Sequence, residues 1–144
     1  VYMYNTEANE TDFRWADIKE ANLQRSYFHD ADFRFTDLTS VSMTYSEFHD
    51  ADFRYSVIVY GYMNNADFVN VDSRFADLTT LYAIYTDFTS TEFNFATMVD
   101  VSISSSDLEY VDFENADVAD IYFYQCNFST TRWTDGSIVN SDPT

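Results

Sequence analysis

His29-Asp30-Ala31-Asp32-Phe33-Arg34 returns letter for letter, twenty residues on, as His49-Asp50-Ala51-Asp52-Phe53-Arg54. A shorter beat of five runs inside the twenty, visible in Ala31-Asp32-Phe33, Ala51-Asp52-Phe53, Ala66-Asp67-Phe68 and Ala76-Asp77-Leu78. Taking every fifth residue from Met3 collects the large apolar side chains: Phe13, Ile18, Leu23, Phe28, Phe33, Leu38 and onward in one frame to Phe128, Trp133 and Ile138. Only Ala8, Ser73 and Ala83 are small or polar at this centre position.

Two residues before each centre stands a small or β-branched residue, as in Thr11, Ala16, Ala21, Ser26, Ala31, Thr36, Val41 and Ser46. Where the centre shrinks its partner grows: Val71 precedes Ser73 and Leu81 precedes Ala83. Such compensation is expected of two positions that share one close-packed core. A period of five fits neither the 3.6 of a helix nor the 2.0 of a long strand. Inward positions two apart, followed by outward residues, describe a short extended segment and then a corner. Four such segments close a square coil of twenty residues. Seven coils at the strand spacing of ~4.8 Å make a rod on the order of 33 Å long.

Ala21-Asn22-Leu23-Gln24-Arg25 and Ala31-Asp32-Phe33-Arg34-Phe35 follow the order small residue, Asp or Asn, Leu or Phe, then two variable residues. In this the sequence resembles the pentapeptide-repeat family. The resemblance implies an all-β fold, a right-handed quadrilateral β-helix solenoid of about seven coils of four pentapeptides. One solenoid domain is expected over residues 1–140 and a short tail over 141–144, where Pro143 falls on a centre position and should blunt the coil. The resemblance also implies a function held by the gyrase-protecting members of the family: mimicry of DNA in the DNA-binding saddle of a type II topoisomerase.

At 144 residues, 46% of them hydrophobic and 19% aromatic, the chain suits one domain with a continuous core. Two Gly and one Pro leave no room for turns built on glycine. The formal charge is −18, with Lys19 the single lysine, so direct binding to nucleic acid or an anionic membrane is disfavoured and a basic partner favoured. Spread along the rod this is roughly one charge per 1.8 Å, close to the ~1.7 Å of duplex DNA. No apolar run approaches the ~18 residues of a membrane helix. Cys126, the lone cysteine, falls on an inward small position and reads as a buried hydrophobe.

Residues twenty apart stack, so each outward position generates a column. Beside the centres Phe13, Phe33 and Phe53, one column reads Asp12, Asp32, Asp52, Asp72, Glu92, Asp112 and the next Arg14, Arg34, Arg54, Arg74, Asn94, Glu114. Like charges about 5 Å apart repel, so the acidic column needs the basic one. Past Arg74 the basic column stops, which leaves Glu92, Asp112 and Glu114 without compensation on this reading. The adjoining corner column, Trp15, Phe35, Tyr55, Phe75 and Phe95, is a candidate contact stripe bordered by arginine. Other acidic columns carry Glu7, Glu47, Asp67, Asp87 and Asp107, and Asp17, Asp37, Asp77 and Asp117.

His29 and His49 share a column next to Asp30 and Asp50. Imidazole and carboxylate are competent for a transition metal, but Val69 stands where a third histidine would fall, and no metal or cofactor is expected. The carboxylates project from flat faces, no cleft poises an acid and a base, and no triad, phosphate loop or zinc spacing occurs, so no catalytic residue is expected.

These features point to a non-enzymatic structural or interaction protein, a rigid acidic rod that self-associates, with end-to-end stacking into a fibre as one form. Tyr2, Met3, Trp133 and Ile138 are the end-stacking candidates. A Tyr, Thr and Ser surface suits an extracellular or cell-surface setting, where Asn9 and Asn127 match the glycosylation pattern. The alternatives are a DNA-mimicking inhibitor of a type II topoisomerase, engaged through the Asp columns, and a designed repeat scaffold without evolved function.

Overall fold

The structure is a computed structural model that describes residues 1–142. It is all-β, and its coils stack in the register set by the twenty-residue echo. Tyr2 bridges Asn22, Glu7 bridges Tyr27, Asp12 bridges Asp32 and Asp17 bridges Asp37, all in parallel. The four ladders climb as far as Asp107 with Asn127 and Asp112 with Arg132. Where neighbouring bridges merge they form short strands: β1 (Tyr82–Ile84), β2 (Thr97–Val99), β3 (Ser102–Ser104), β4 (Asp117–Ala119), β5 (Tyr122–Tyr124), β6 (Thr131–Arg132) and β7 (Ile138–Val139). Strands β1, β3 and β5 stack on one face, and β2 and β4 on another.

Corners recur with the five-residue beat. At each fifth residue from Asn5 to Thr130 the backbone takes a positive φ, between 51 and 63°, although none of these residues is glycine. In the turn from Phe33 to Thr36 the Thr36 amide donates to the Phe33 carbonyl at 3.2 Å. Phe35 alone has positive φ there, the signature of a type II turn. The corner amide is held by the next coil, as Phe35 N–H donates to Arg54 O at 3.2 Å. Inter-coil bonding thus imposes on ordinary residues a conformation that glycine usually takes.

Both inward positions lie in the core. The centres from Leu23 to Phe113 are buried, as are Ala21, Ala31, Val41, Val71 and Leu81. Phenylalanine columns run along it: Phe13, Phe33 and Phe53 stack at 4.7 and 4.6 Å, and Phe28, Phe48 and Phe68 at 5.0 and 4.7 Å. The two columns meet edge to face, with Phe28 and Phe33 5.6 Å apart, the geometry aromatic quadrupoles favour. Inward hydroxyls reach back to a centre carbonyl of the preceding coil: Thr36 Oγ1 donates to Phe13 O at 2.8 Å and Ser46 Oγ to Leu23 O at 2.6 Å. These bonds let Thr36 and Ser46 replace Ala at the small position without an orphaned polar group.

The parallel frame does not run on to Ile138. After Trp133 the chain turns through Asp135 and Gly136, whose φ is 82°, and β7 returns antiparallel to β6. Gly136 N–H donates to Trp133 O at 2.9 Å, and Trp133 N–H to Ser137 O at 2.8 Å. The reversal pairs Ile138 with Arg132 and leaves it 52% exposed, while Val139 pairs with Thr131 and packs against the core. One of the four edges of the last coil is thereby covered by a hairpin. The Pro143 position lies outside the described residues.

Candidate interaction surfaces

The acidic column owes its residue type first to the turn. An Asp or Asn just before the centre accepts the amide two residues later, as in Arg14 N–H to Asp12 at 3.0 Å, Thr39 to Asp37 at 3.1 Å, Thr89 to Asp87 at 2.8 Å and Glu109 to Asp107 at 2.9 Å. This is the Asx-turn bond, which pins each corner.

Each arginine then binds two coils. Arg34 Nε donates to Asp32 at 2.9 Å and stands 3.3 Å from Asp52; Arg54 repeats this with Asp52 and Asp72. The zigzag runs without a break from Asp12 to Glu92, where Arg74 Nε closes it at 3.1 Å. Arg14 holds Asp12 well below the usual carboxylate range, at about 2, chiefly through their hydrogen bond. Arg34 lowers Asp32 in the same way.

The structure corrects the expectation that Glu92, Asp112 and Glu114 lack partners. Arg132 occupies the acidic column itself, with Nε 3.5 Å from Asp112 and Nη1 3.1 Å from Glu114. The basic ladder skips two coils, at Asn94 and Glu114, and resumes from the neighbouring column. Lys19 likewise bridges Asp17 and Asp37, at 3.5 and 3.0 Å.

Trp15, Phe35, Tyr55, Phe75 and Phe95 form one stacked column, at ring spacings of 4.2, 5.0, 4.9 and 5.1 Å and within 7° of parallel. All five are exposed, Trp15 at 73%. The five rings thus make a continuous stack that is exposed along the corner.

A second surface escapes a search for motifs because it consists of an absence. The face built from residues 1–5, 21–25, 41–45, 61–65, 81–85, 101–105 and 121–125 contains no Asp or Glu, and Arg25 is its only charged side chain. Apart from Asp135 and Asp142, which follow the last parallel coil, every acidic residue lies on the other three faces. This face exposes Tyr2, Tyr45, Tyr62, Tyr82, Tyr85, Tyr122 and Tyr124 among Asn, Gln, Ser and Thr. Tyr62 and Tyr82 stack at 5.6 Å, and Arg25 lies over the Tyr45 ring at 5.3 Å. The signal was available in the columns, had their charge been summed by face.

His29 and His49 stack at 4.7 Å, 3° from parallel. The carboxylates brought to them are Glu47 and Asp67, not Asp30 and Asp50, which occupy the corner: Glu47 lies 3.2 Å from His29 Nε2 and Asp67 3.0 Å from His49 Nε2. Cys126 packs against the core with Sγ 3.4 Å from Ile103 O, and burial pushes its thiol pKa up. A cavity of about 230 Å³ opens beside the terminal hairpin, lined by Tyr110, Val111, Asp112, Thr130, Arg132 and Ile138. Its acid and its base are already paired with each other. Asn9 and Asn127 are both exposed; Asn9 Oδ1 accepts the His29 amide at 2.9 Å and Asn127 Nδ2 donates to Asp107 at 3.2 Å.

Pentapeptide repeats match in eight copies over residues 9–44. No curated protein matches the sequence. Among solved structures, a trypsin-treated variant of QnrB1, a plasmid-mediated fluoroquinolone resistance protein, is 13% identical with a TM-score of 0.70. That likeness covers 91% of this chain and 64% of that one, so the chain spans under two thirds of QnrB1's length. HetL, a pentapeptide repeat protein from Nostoc sp. strain PCC 7120, is 12% identical with a TM-score of 0.31, over 96% and 92% of the two chains. Rfr23 from the cyanobacterium Cyanothece 51142 is 10% identical with a TM-score of 0.35, over 88% and 90%. The first likeness is one of fold, and the other two carry no argument.

Proposed function

We propose, on the premise that this chain belongs to the pentapeptide-repeat family, that it acts as a structural and interaction solenoid, a rigid acidic rod that associates with copies of itself. Pentapeptide-repeat proteins are generally structural or interaction folds without catalysis. The observation that carries self-association is the acid-free tyrosine face. On a chain of net charge −18, contact through any other face sets carboxylates against carboxylates, whereas this face offers rings, amides and hydroxyls.

End-to-end growth draws on a second feature. Each strand bonds forward through the residues that flank its bridge: Thr6 O accepts from Tyr27 N–H at 2.9 Å, and Ala8 N–H donates to Tyr27 O at 2.8 Å. The groups of Glu7 itself therefore face away from the second coil, as do those of Tyr2, Asp12 and Asp17, and such an edge is a template for another strand. In a fibre the contacts would fall near Tyr2 and Met3 at one end and near Trp133 and Ile138 at the other.

Light scattering over a range of concentrations, with negative-stain imaging of the same samples, tests the proposal. Growth with concentration is expected, and a strict monomer overturns it. Tyr62→Asp with Tyr82→Asp places the repeat's usual acid on the neutral face, which the fold tolerates. Lateral association should then be lost; filaments that persist would assign assembly to the ends.

The topoisomerase reading has its own support: among the described residues Asp77, Asp87, Asp107 and Asp117 have no basic partner. Mimicry of DNA would use these columns. A DNA gyrase supercoiling assay with Asp67, Asp87 and Asp107 reversed to Lys separates the two readings, since reversal should abolish any effect on the enzyme and leave assembly through the tyrosine face intact.

A further inference from the structure

We infer that His29, Glu47 and His49 form a site for one borderline first-row divalent cation, of the class of Zn²⁺, Ni²⁺ or Cu²⁺. One ligand atom from each of the three lies within 4.8 Å of the other two. Ligand atoms on one tetrahedral ion, at about 2.0–2.1 Å each, stand about 3.4 Å apart, so the cluster closes on an ion if each ligand atom moves by about 1 Å or less. All three side chains have that freedom, because they lie outside the core and are a third or more exposed.

The placement is not a generic consequence of stacking. Most Asp residues before a centre spend an oxygen on the amide two residues later, as Asp87 and Asp107 do in this same column. Asp67 does not: its Oδ1 is buried without a hydrogen-bond partner. His49 Nε2 is likewise buried and without one, although Asp67 Oδ2 stands 3.0 Å away. An imidazole nitrogen that makes no well-aligned hydrogen bond keeps its lone pair available for a metal. Glu47 connects the rings: its Oε2 reaches His29 Nε2 at 3.2 Å, and it stands two residues before His49 in the same coil.

Two imidazoles and a carboxylate select a borderline transition ion over Ca²⁺ or Mg²⁺, which prefer oxygen alone. Asp67 Oδ2 stands 3.0 Å from the same His49 Nε2, so on metal binding this carboxylate would turn aside or join the ion as a further ligand. With three protein ligands one position stays open toward solvent, for water or for a group from a partner molecule.

The test is calorimetric titration of the chelator-treated full chain with Zn²⁺, in excess Mg²⁺ to occupy the acidic columns, alongside imidazole ¹⁵N spectra. Saturation near one equivalent is expected, with both histidine Nε2 resonances moving together. His29→Gln and His49→Gln should each weaken binding at least tenfold, and Glu47→Gln by a comparable factor. Circular dichroism melts check that the variants fold. Unchanged affinity in either histidine variant, or saturation that leaves the imidazole resonances in place, overturns the site and assigns any bound zinc to the carboxylate columns.

Discussion

Leu81 occupies the space that Gly61 leaves one coil earlier: a β-carbon on Gly61 would stand 3.1 Å from Leu81 Cδ1 and 2.8 Å from Ile58 Cγ2. The exchange between a large small-position residue and its reduced centre, Leu81 with Ala83, thus extends to a third residue along the rod. Gly61→Ala should destabilise the fold by about 1–3 kcal/mol through overpacking, and Leu81→Ala by about 2–5 kcal/mol through the void it leaves. The two together should cost less than their sum, since the second change vacates space for the first. Urea denaturation of the three variants measures this, and strict additivity would separate the two sites.

Ser46 and Ser56 are sequence equivalents with opposite accounts. Ser46 Oγ accepts the Ser26 amide at 3.2 Å and donates to Leu23 O at 2.6 Å, whereas Ser56 Oγ is buried with no partner. Ser46→Ala should cost about 1 kcal/mol or more, and Ser56→Ala should be neutral or stabilising by a few tenths to about 1 kcal/mol. Paired chemical melts decide it: equal losses would mean that both hydroxyls are bonded.

Thr80 holds φ at 57° although it is β-branched. Thr80→Asn should raise the melting temperature by a degree or more, because Asn tolerates the left-handed region at about 1 kcal/mol less cost and adds little unfolded-state entropy. The same change at Thr79, which lacks a positive φ and whose hydroxyl donates to Asp77 at 2.7 Å, should not stabilise.

Acid should weaken the rod in a defined window. Asp12, Asp32 and Asp37 have folded-state pKa values below the ordinary carboxylate value, Asp12 at about 2. For Asp12 and Asp32 the arginine hydrogen bonds are responsible; for Asp37, bonds from Thr39 and Lys19 outweigh the desolvation of its burial. Between folded and unfolded pKa values the unfolded chain binds more protons, so this stabilisation is complete above about pH 4 and is lost as the pH falls toward 2. Denaturant midpoints from pH 6 to 2.5 should fall in that range, and Arg14→Gln should flatten part of the slope. A pH-independent midpoint would remove the ladder from the stability account.

The core was legible in the sequence because a five-residue period leaves no other way to bury Phe33, Leu38, Met43 and Phe48 together. The hairpin was harder: Ile138 keeps the period by position, and only the Asp135-Gly136 pair signals a reversal. The pairing of Arg132 was missed because it stands in a column otherwise acidic. The tyrosine face was missed because columns were read for the charges they hold, and this face is defined by those it lacks. Glu47 and Asp67 were not linked to the histidines because a reach of eighteen residues between columns depends on side-chain direction, which periodicity does not fix.

The two identical stretches at 29–34 and 49–54 sit one coil apart, with Asp32 bridged to Asp52. Excision of residues 31–50 would join Asp30 to Ala51 and restore the same six letters across the joint, and Arg14 would meet Asp52 as it now meets Asp32. The local sequence and the arginine zigzag would not register the loss, although Ser26 would then face Ala66 in place of Ser46 and His29 would stand over Val69. Unequal recombination at this seam could therefore shorten or lengthen the protein by a whole turn, so that its length becomes a heritable quantity, counted in steps of about 5 Å, which selection can tune without having to redesign the fold.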